Sequence, residues 1–117
     1  MNQERLYSDY LRDILENAEK AISFVAGMTG DEFIQDEKTV FAVIRAIEVI
    51  REATKKIPNI VRDKYPHLPW REMAGTRDKL IHDYFGVNST VIWKTVTEDI
   101  PLLLPLLRQV LENETEA

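Results

Sequence analysis

The sequence contains no cysteine. This absence excludes a disulfide framework, a zinc site built on thiolates and a cysteine nucleophile. Its four glycines form neither a phosphate-binding loop nor the Gly-x-Ser-x-Gly turn of a serine hydrolase. No apolar run approaches ~20 residues, and the start of the chain lacks the basic and apolar regions of a secretory signal. We therefore expect a cytoplasmic protein that is not inserted in a membrane.

The size and composition are those of one ordinary folded domain. The chain has 117 residues, of which 44% are hydrophobic and 30% are charged. A domain of this length buries roughly two thirds of its unfolded surface, which is enough for an independent core. We expect residues 1–117 to form a single domain.

Positive charge is scarce and unevenly distributed. The formal net charge is -5, yet residues 55–79 alone carry +4, leaving -9 for the rest of the chain. One basic stretch in an acidic protein can attract a polyanion to one place. The alternative is a solvated charged face without a partner. The basic residues are Lys55, Lys56, Arg62, Lys64, Arg71, Arg77 and Lys79.

Apolar residues recur at spacings of three and four, which predicts amphipathic helices. Long helices are expected over residues 4–26, 37–56 and 90–112, and short ones over 30–35 and 59–64. A further helix is expected from Pro69 to about residue 84, with Gly86 ending it. Thr29 with Glu32 has the form of a capping box, and Asp36 can cap the helix that follows.

The predicted fold class is all-α, an antiparallel bundle of four main helices and up to five, because no alternating strand pattern occurs. Pro101 and Pro105 predict a bend in the last helix near residue 100. Residues after about 112 are expected to fray.

The helix over residues 37–56 is apolar around most of its circumference, which predicts burial on two sides. In a small protein the second side requires another body, most simply a second copy of the chain. Arg45 within this helix needs a partner if it is buried, and Glu48 or Glu52 can supply one.

The candidate site lies in residues 73–86. If this segment is one helix, Arg77 and Tyr84 share a stripe with Met73, and Arg77 interrupts an otherwise apolar face. Gly75 in mid-helix costs about 1 kcal/mol relative to alanine, which suggests that another backbone or a ligand approaches there. Asp78 lies four residues before His82 and can orient its imidazole. Taken singly, Asp78 and His82 can equally be a structural pair, and Tyr84 a core tyrosine.

Together these residues read Arg77, four residues, His82, one residue, Tyr84, and at this point the chain resembles the HepT-like toxins of the HEPN superfamily. The resemblance extends over nearly the whole chain. Its context is formed by Asp36-Glu-Lys-Thr, Arg45-Ala-Ile-Glu, Tyr65-Pro66, Pro69-Trp70-Arg71, Phe85-Gly86-Val87, Trp93 and the residues from Val96 to Pro101.

The resemblance implies a HEPN-type helical bundle that acts as a symmetric dimer and cleaves RNA without a metal ion or other cofactor. It implies Arg77 and His82 as the catalytic pair. It also implies the toxin role in a toxin-antitoxin pair, whose antitoxin is a minimal nucleotidyltransferase that adenylylates the motif tyrosine, here Tyr84. Asp78 departs from the family pattern, in which the residue after the arginine is polar and commonly asparagine.

The residues are compatible with this chemistry. A histidine with a pKa near neutrality can accept the proton of the RNA 2′-hydroxyl, and a guanidinium matches the charge that develops on phosphate. On one ideal helix Arg77 and His82 project roughly 140° apart, so a two-fold axis would help to place both around one cleft. The alternative function is a catalytically silent helical module that docks a nucleotidyltransferase, which Asp78 and the negative net charge favour.

Overall fold

The computed structural model describes residues 6–75 and 89–115, and the regular secondary structure within these ranges is entirely helical. The predicted all-α fold class is confirmed. The helices, with a π-helical turn at Thr95–Asp99 between the last two, are α1 (Tyr7–Val25), α2 (Gly30–Gln35), α3 (Glu37–Lys55), α4 (Asn59–Arg62), α5 (Trp70–Ala74), α6 (Ser89–Lys94) and α7 (Ile100–Thr115). None of the described helices is long and apolar enough to cross a membrane.

The centre of the core is the packing of α1 against α3, with α7 lying against α1. The buried stripe of α1 runs at the predicted spacing and meets Val43, Ile44 and Ile50 of α3 in the same buried cluster. Each large apolar side chain in this cluster contributes about 1.5–3 kcal/mol by leaving water. The buried residues of α1 are Leu11, Ile14, Ala18, Ala21 and Val25.

Side-chain caps set the junctions around α2 as the sequence predicts. Thr29 Oγ1 accepts from the Glu32 amide at 3.1 Å, and Glu32 Oε1 accepts from the Thr29 amide at 2.9 Å. Asp36 accepts from the amide of Thr39 at 3.1 Å and caps α3. These bonds satisfy amides that have no partner within a helix, so α1, α2 and α3 follow one another with short links.

The outward side of α3 is less apolar than the sequence pattern suggests. Arg45 forms the predicted ion pair with Glu48 at 3.2 Å, but its side chain is 73% exposed and does not interrupt a buried face. Phe41 is 44% exposed. In the single chain the outward side of α3 mixes apolar and charged residues, and its burial against a second copy of the chain stays a prediction.

The last predicted helix is present, with a change of hydrogen-bond register inside it. At the end of the π-helical turn the Ile100 amide donates to the Thr95 carbonyl, five residues back, immediately before Pro101. The hydroxyls of Thr95 and Thr97 donate to the carbonyls of Val91 and Trp93, four residues back. The change of register thus lies at Thr95–Asp99, next to the position of the predicted bend, while Pro105 lies inside α7.

Candidate functional site

The predicted site residues Arg77, Asp78, His82 and Tyr84 lie outside the described residues. Their mutual geometry, and the proposed contact of Asp78 with His82, remain predictions. Residues 76–88 are called the motif segment below. Its described neighbours in the chain are Gly75, at the end of α5, and Ser89, at the start of α6.

Gly75 ends α5 in the left-handed conformation, with φ 67° and ψ 82°. Its amide donates to the Glu72 carbonyl at 3.1 Å. A Cβ atom placed on Gly75 would lie 2.5 Å from Cδ of Arg51. Glycine is therefore favoured at this position for two reasons, the positive φ and the close approach of the Arg51 side chain.

This geometry corrects two expectations. The helix predicted from Pro69 to about residue 84 ends at Ala74, because Gly75 leaves the α-helical region. Of the stripe predicted for this helix, Met73 lies in α5, while Arg77 and Tyr84 lie outside the described residues. The group that lies closest to Gly75 is the side chain of Arg51, where the sequence had suggested another backbone or a ligand.

Arg51 is a cation next to the motif segment that the sequence reasoning missed. Its side chain is only 14% exposed, lies against Gly75 and forms an ion pair with Glu52 at 3.1 Å. Glu52 also pairs with Lys55 at 3.6 Å. The carboxylate of Glu52 partly neutralises the positive charge at the end of α5.

The basic stretch has structural roles as well as free cations. Arg62 donates to the carbonyls of Thr54 at 2.7 Å and Ile57 at 3.1 Å, and so caps the end of α3. Lys56 and Arg71 are exposed and form no ion pair with another residue of 6–75 or 89–115. Only part of the basic stretch is therefore available to a polyanion. This outcome lies between the two alternatives, a basic stretch that attracts a polyanion and a solvated charged face without a partner.

A groove of about 560 Å³ lies between α1, α3, α5 and α7. Its wall is mainly apolar, with Ile47 from α3 and Leu103 from α7 among the lining residues. Among the described residues that line the groove, the charged groups are the carboxylates Glu72 and Asp99, which repel phosphate. The described part of the groove is therefore a poor binding site for RNA. Among the described residues, no group of three or more histidine, aspartate or glutamate side chains is arranged to hold a metal ion.

A buried carboxylate joins three distant parts of the chain. Glu114 accepts from the hydroxyls of Tyr7 at 2.8 Å and Tyr65 at 2.7 Å, and Lys64 Nζ lies 3.2 Å from the same side chain. The Glu114 side chain is 5% exposed. We call Glu114, Tyr7, Lys64 and Tyr65 the Glu114 cluster.

The cluster corrects the expectation that the chain frays after residue 112, because α7 continues to Thr115. The signal was present in the sequence. Glu114 continues the stripe of Leu107 and Val110 at spacings of three and four, and Leu107 and Val110 are buried. A carboxylate on that stripe needs partners.

The hydrogen bonds of the cluster shift the acidity of its members. The bond from Tyr65, followed by those from Tyr7 and Lys64, lowers the pKa of Glu114 against the opposing effect of burial. The bond to Glu114 raises the pKa of Tyr7. Burial and the bond to Glu114 raise the pKa of Tyr65. The cluster is therefore most stable with an ionised carboxylate and neutral phenols.

The chain is similar to proteins that are named ribonucleases. It is 54% identical over 100 residues to a protein of Thermococcus cleftensis named "Probable ribonuclease HepT", with 86% of this chain and 91% of the relative covered. It is 44% and 46% identical to two proteins of Methanocaldococcus jannaschii that carry the name "Putative RNase". In both, 104 residues align, covering 89% of this chain and 86% of the relative.

No solved structure matches the chain. A family model described as "Ribonuclease HepT-like" matches residues 14–110, a range that contains α3, α5, the motif segment and most of α7. With this match and relatives that are more than 40% identical over most of their length, the chain belongs to the ribonuclease HepT-like family.

Proposed function

We propose that this protein is an endoribonuclease that needs no metal ion, with Arg77 and His82 as its catalytic residues. The observation that carries the proposal is the family match over residues 14–110, which includes both positions and the surrounding motif segment. The names of the relatives, all of which refer to RNases, support the same activity.

In the proposed reaction His82 accepts the proton of a ribose 2′-hydroxyl as the 2′-oxygen attacks the neighbouring phosphorus. The bond from phosphorus to the 5′-oxygen breaks, that oxygen takes a proton from water as it leaves, and a 2′,3′-cyclic phosphate remains. Arg77 donates hydrogen bonds to the phosphate oxygens on which negative charge develops. Asp78 supports His82 by orienting the imidazole and favouring its charged form.

The proposed biological role is that of a toxin in the cytoplasm, held in check by a nucleotidyltransferase antitoxin. Adenylylation would attach a bulky, negatively charged group to Tyr84, which is close to Arg77 in the sequence. The phosphate of the adenylyl group can occupy the guanidinium through charge-assisted hydrogen bonds and so compete with RNA. We propose that modification silences cleavage without unfolding the protein.

The decisive experiment compares the two histidines of the chain. Expressed alone, the protein should fragment cellular RNA and arrest growth, and His82→Ala should lower the cleavage rate by about 10²–10⁴-fold, the usual contribution of a general base. His67→Ala is the matched control, because His67 is an exposed residue at the carboxylate-bearing groove, and it should cleave as the wild type does.

Arg77→Ala should also abolish cleavage while the circular dichroism spectrum stays helical. Wild-type cleavage by either Arg77→Ala or His82→Ala would refute that residue's assignment. The reaction should continue in EDTA, and its loss in the chelator would indicate a metal-dependent mechanism instead.

Tyr84 is tested with the nucleotidyltransferase and ATP, followed by mapping of the added mass. We expect the label on Tyr84 and none on Tyr7 or Tyr65, whose hydroxyls are bonded to Glu114. Tyr84→Phe should remain an active nuclease that the antitoxin no longer silences by modification. A label on another residue would contradict the proposal.

A second candidate is a silent binding module that docks the nucleotidyltransferase. The observation in its favour is that Arg62 and Lys64 of the basic stretch are engaged within the protein, which leaves fewer cations for RNA. Asp78 adds negative charge within the motif. Binding of the nucleotidyltransferase by a chain that cleaves no RNA, even as Asp78→Asn, would favour this candidate.

A further inference from the structure

We propose that Glu114 is a positioning residue of this nuclease, fixing α5 through Tyr65 and thereby the place where the motif segment begins. This inference rests on the proposed function, and it names a residue outside the part of the chain that the family model matches. The site would then depend on a carboxylate in the last turn of α7, far from Arg77 in the sequence.

Glu114 holds the loop before α5. Tyr65 Oη donates to Glu114 Oε2 at 2.7 Å, and the neighbouring Lys64 Nζ lies 3.2 Å from the same oxygen. With 5% of the Glu114 side chain exposed, water competes little for these bonds. The loop is attached to α7 by two adjacent residues and one carboxylate oxygen.

Tyr65 is in turn bonded to α5. The indole Nε1 of Trp70, the first residue of α5, donates to the Tyr65 carbonyl at 2.9 Å. Trp70 and Leu68 are both buried, and the Trp70 amide donates to the Leu68 carbonyl at 2.9 Å. Tyr65 thus contacts Glu114 through its hydroxyl and α5 through its carbonyl. We therefore expect displacement of the Tyr65 hydroxyl to displace its carbonyl and α5 with it.

The short helix α5 depends on such contacts with other elements. It has five residues, and a helix this short is not stable on its own in water. Its first residue is held through Tyr65, and its end at Gly75 lies against Arg51 of α3. Because both ends are fixed by other elements, the position at which the chain leaves α5 is set by these contacts.

The two phenols of the cluster separate a positioning role from a purely stabilising one. Tyr7 and Tyr65 donate to opposite oxygens of the same carboxylate over nearly equal distances, 2.8 and 2.7 Å. Tyr7 belongs to α1, which does not lead to the motif segment, whereas Tyr65 belongs to the loop that does. Loss of either hydroxyl removes one bond of the same kind, but only one of them holds α5.

The experiment compares Tyr65→Phe and Tyr7→Phe in the full chain. Cleavage of a mixed-sequence, fluorophore-labelled RNA is measured at limiting and saturating RNA, together with thermal unfolding and amide hydrogen exchange. We expect Tyr65→Phe to lower kcat by about tenfold with little change in KM, since small displacements of reacting groups have effects of this size. Tyr7→Phe should unfold at a similar temperature to Tyr65→Phe but retain wild-type kcat.

Hydrogen exchange tests the same inference without relying on nuclease activity. Tyr65→Phe and Glu114→Gln should accelerate amide exchange within residues 66–75, whereas Tyr7→Phe should accelerate it at the start of α1. Equal losses of kcat in the two phenylalanine variants, or unchanged exchange over residues 66–75 in Tyr65→Phe, would overturn the positioning role. If the wild-type chain cleaves no RNA, the proposed function fails, and exchange alone decides whether Glu114 fixes α5.

Discussion

At the scale of single residues, the end of α5 is determined by one glycine and one arginine. Gly75 has φ 67°, and its missing Cβ leaves room for the Arg51 side chain. Gly27, after α1, has φ 80° but nothing within 4 Å of the position that a Cβ would take. The two glycines therefore share the backbone strain that a side chain would introduce, and differ in steric contact.

We predict that Gly75→Ala destabilises the protein more than Gly27→Ala. An alanine in the left-handed region costs about 1–2 kcal/mol at either position. At Gly75 the contact with Arg51 adds about 1–3 kcal/mol of overpacking, with the flexibility of the arginine favouring the lower end. Urea unfolding of both variants measures the difference.

The control is Arg51→Ala, which removes the side chain that a Cβ on Gly75 would meet. Combined with Gly75→Ala it should recover the overpacking part of the loss, leaving the backbone strain that Gly27→Ala also has. Equal destabilisation by the two glycine substitutions, or additive effects in the double variant, would mean that Arg51 does not constrain Gly75.

At the scale of elements, sequence periodicity predicted those helices whose burial follows a local pattern. The helices α2 and α3 begin at the predicted residues, because Thr29 and Asp36 cap them through contacts three residues away. Such contacts are visible in the sequence itself.

The elements that were mispredicted depend on contacts between distant residues. The end of α5 at Gly75 contacts the side chain of Arg51, which belongs to α3 and lies two helices earlier in the sequence. The last turn of α7 is ordered by Glu114, whose partners lie near the start of the chain and before α5. A periodic pattern indicates the apolar face of a helix. It does not indicate which side chain, distant in the sequence, contacts the end of that helix.

The Glu114 cluster joins α1, α7 and the loop before α5, and its contribution to stability should depend on pH. The folded-state pKa of Glu114 is lowered, so its stabilisation is present above the unfolded value of 4.5 and is lost as pH falls through the folded value. The pKa values of Tyr7 and Tyr65 are raised, so their contribution is lost as pH rises through the folded values.

We therefore predict that the difference in unfolding free energy between wild type and Glu114→Gln is constant near neutrality and narrows from about pH 5 to pH 3. Denaturant unfolding followed by circular dichroism at several pH values measures it. Glu112→Gln, at an exposed residue of α7, is the matched control and should follow the wild-type curve. Parallel curves for wild type and Glu114→Gln would show that the cluster does not contribute through the ionised carboxylate.

For the protein as a whole, the class of fold and the candidate motif could be predicted from the sequence, but by different routes. The helical class follows from hydrophobic periodicity, which the described helices confirm. The motif segment was identified only because several residue types occur together in a context that resembles the HepT-like toxins. Individually, Arg77, His82 and Tyr84 are ordinary residues of a helical protein. Periodicity alone assigns no chemistry to them.

Exposed apolar surface bears on whether the protein assembles into a dimer. Leu102, which lines the apolar groove, is 73% exposed, and so is Ile60 on α4. The groove continues the apolar surface around Leu102 with Leu103 and Leu106, whereas Ile60 is not among the groove residues. A stable dimer buries about 1,200–2,000 Å² of surface, and apolar area of this kind favours burial against a second copy.

We predict a homodimer in sedimentation experiments at micromolar concentration, with the two active sites related by a two-fold axis. Leu102→Glu should weaken the dimer, because it places a charge beside the apolar groove, and it should lower RNA cleavage in proportion to the loss of dimer. Ile60→Glu introduces the same charge at the same exposure and should leave both unchanged. A wild-type chain that sediments only as a monomer would refute the dimer, and a dimer that Leu102→Glu does not weaken would place its interface elsewhere.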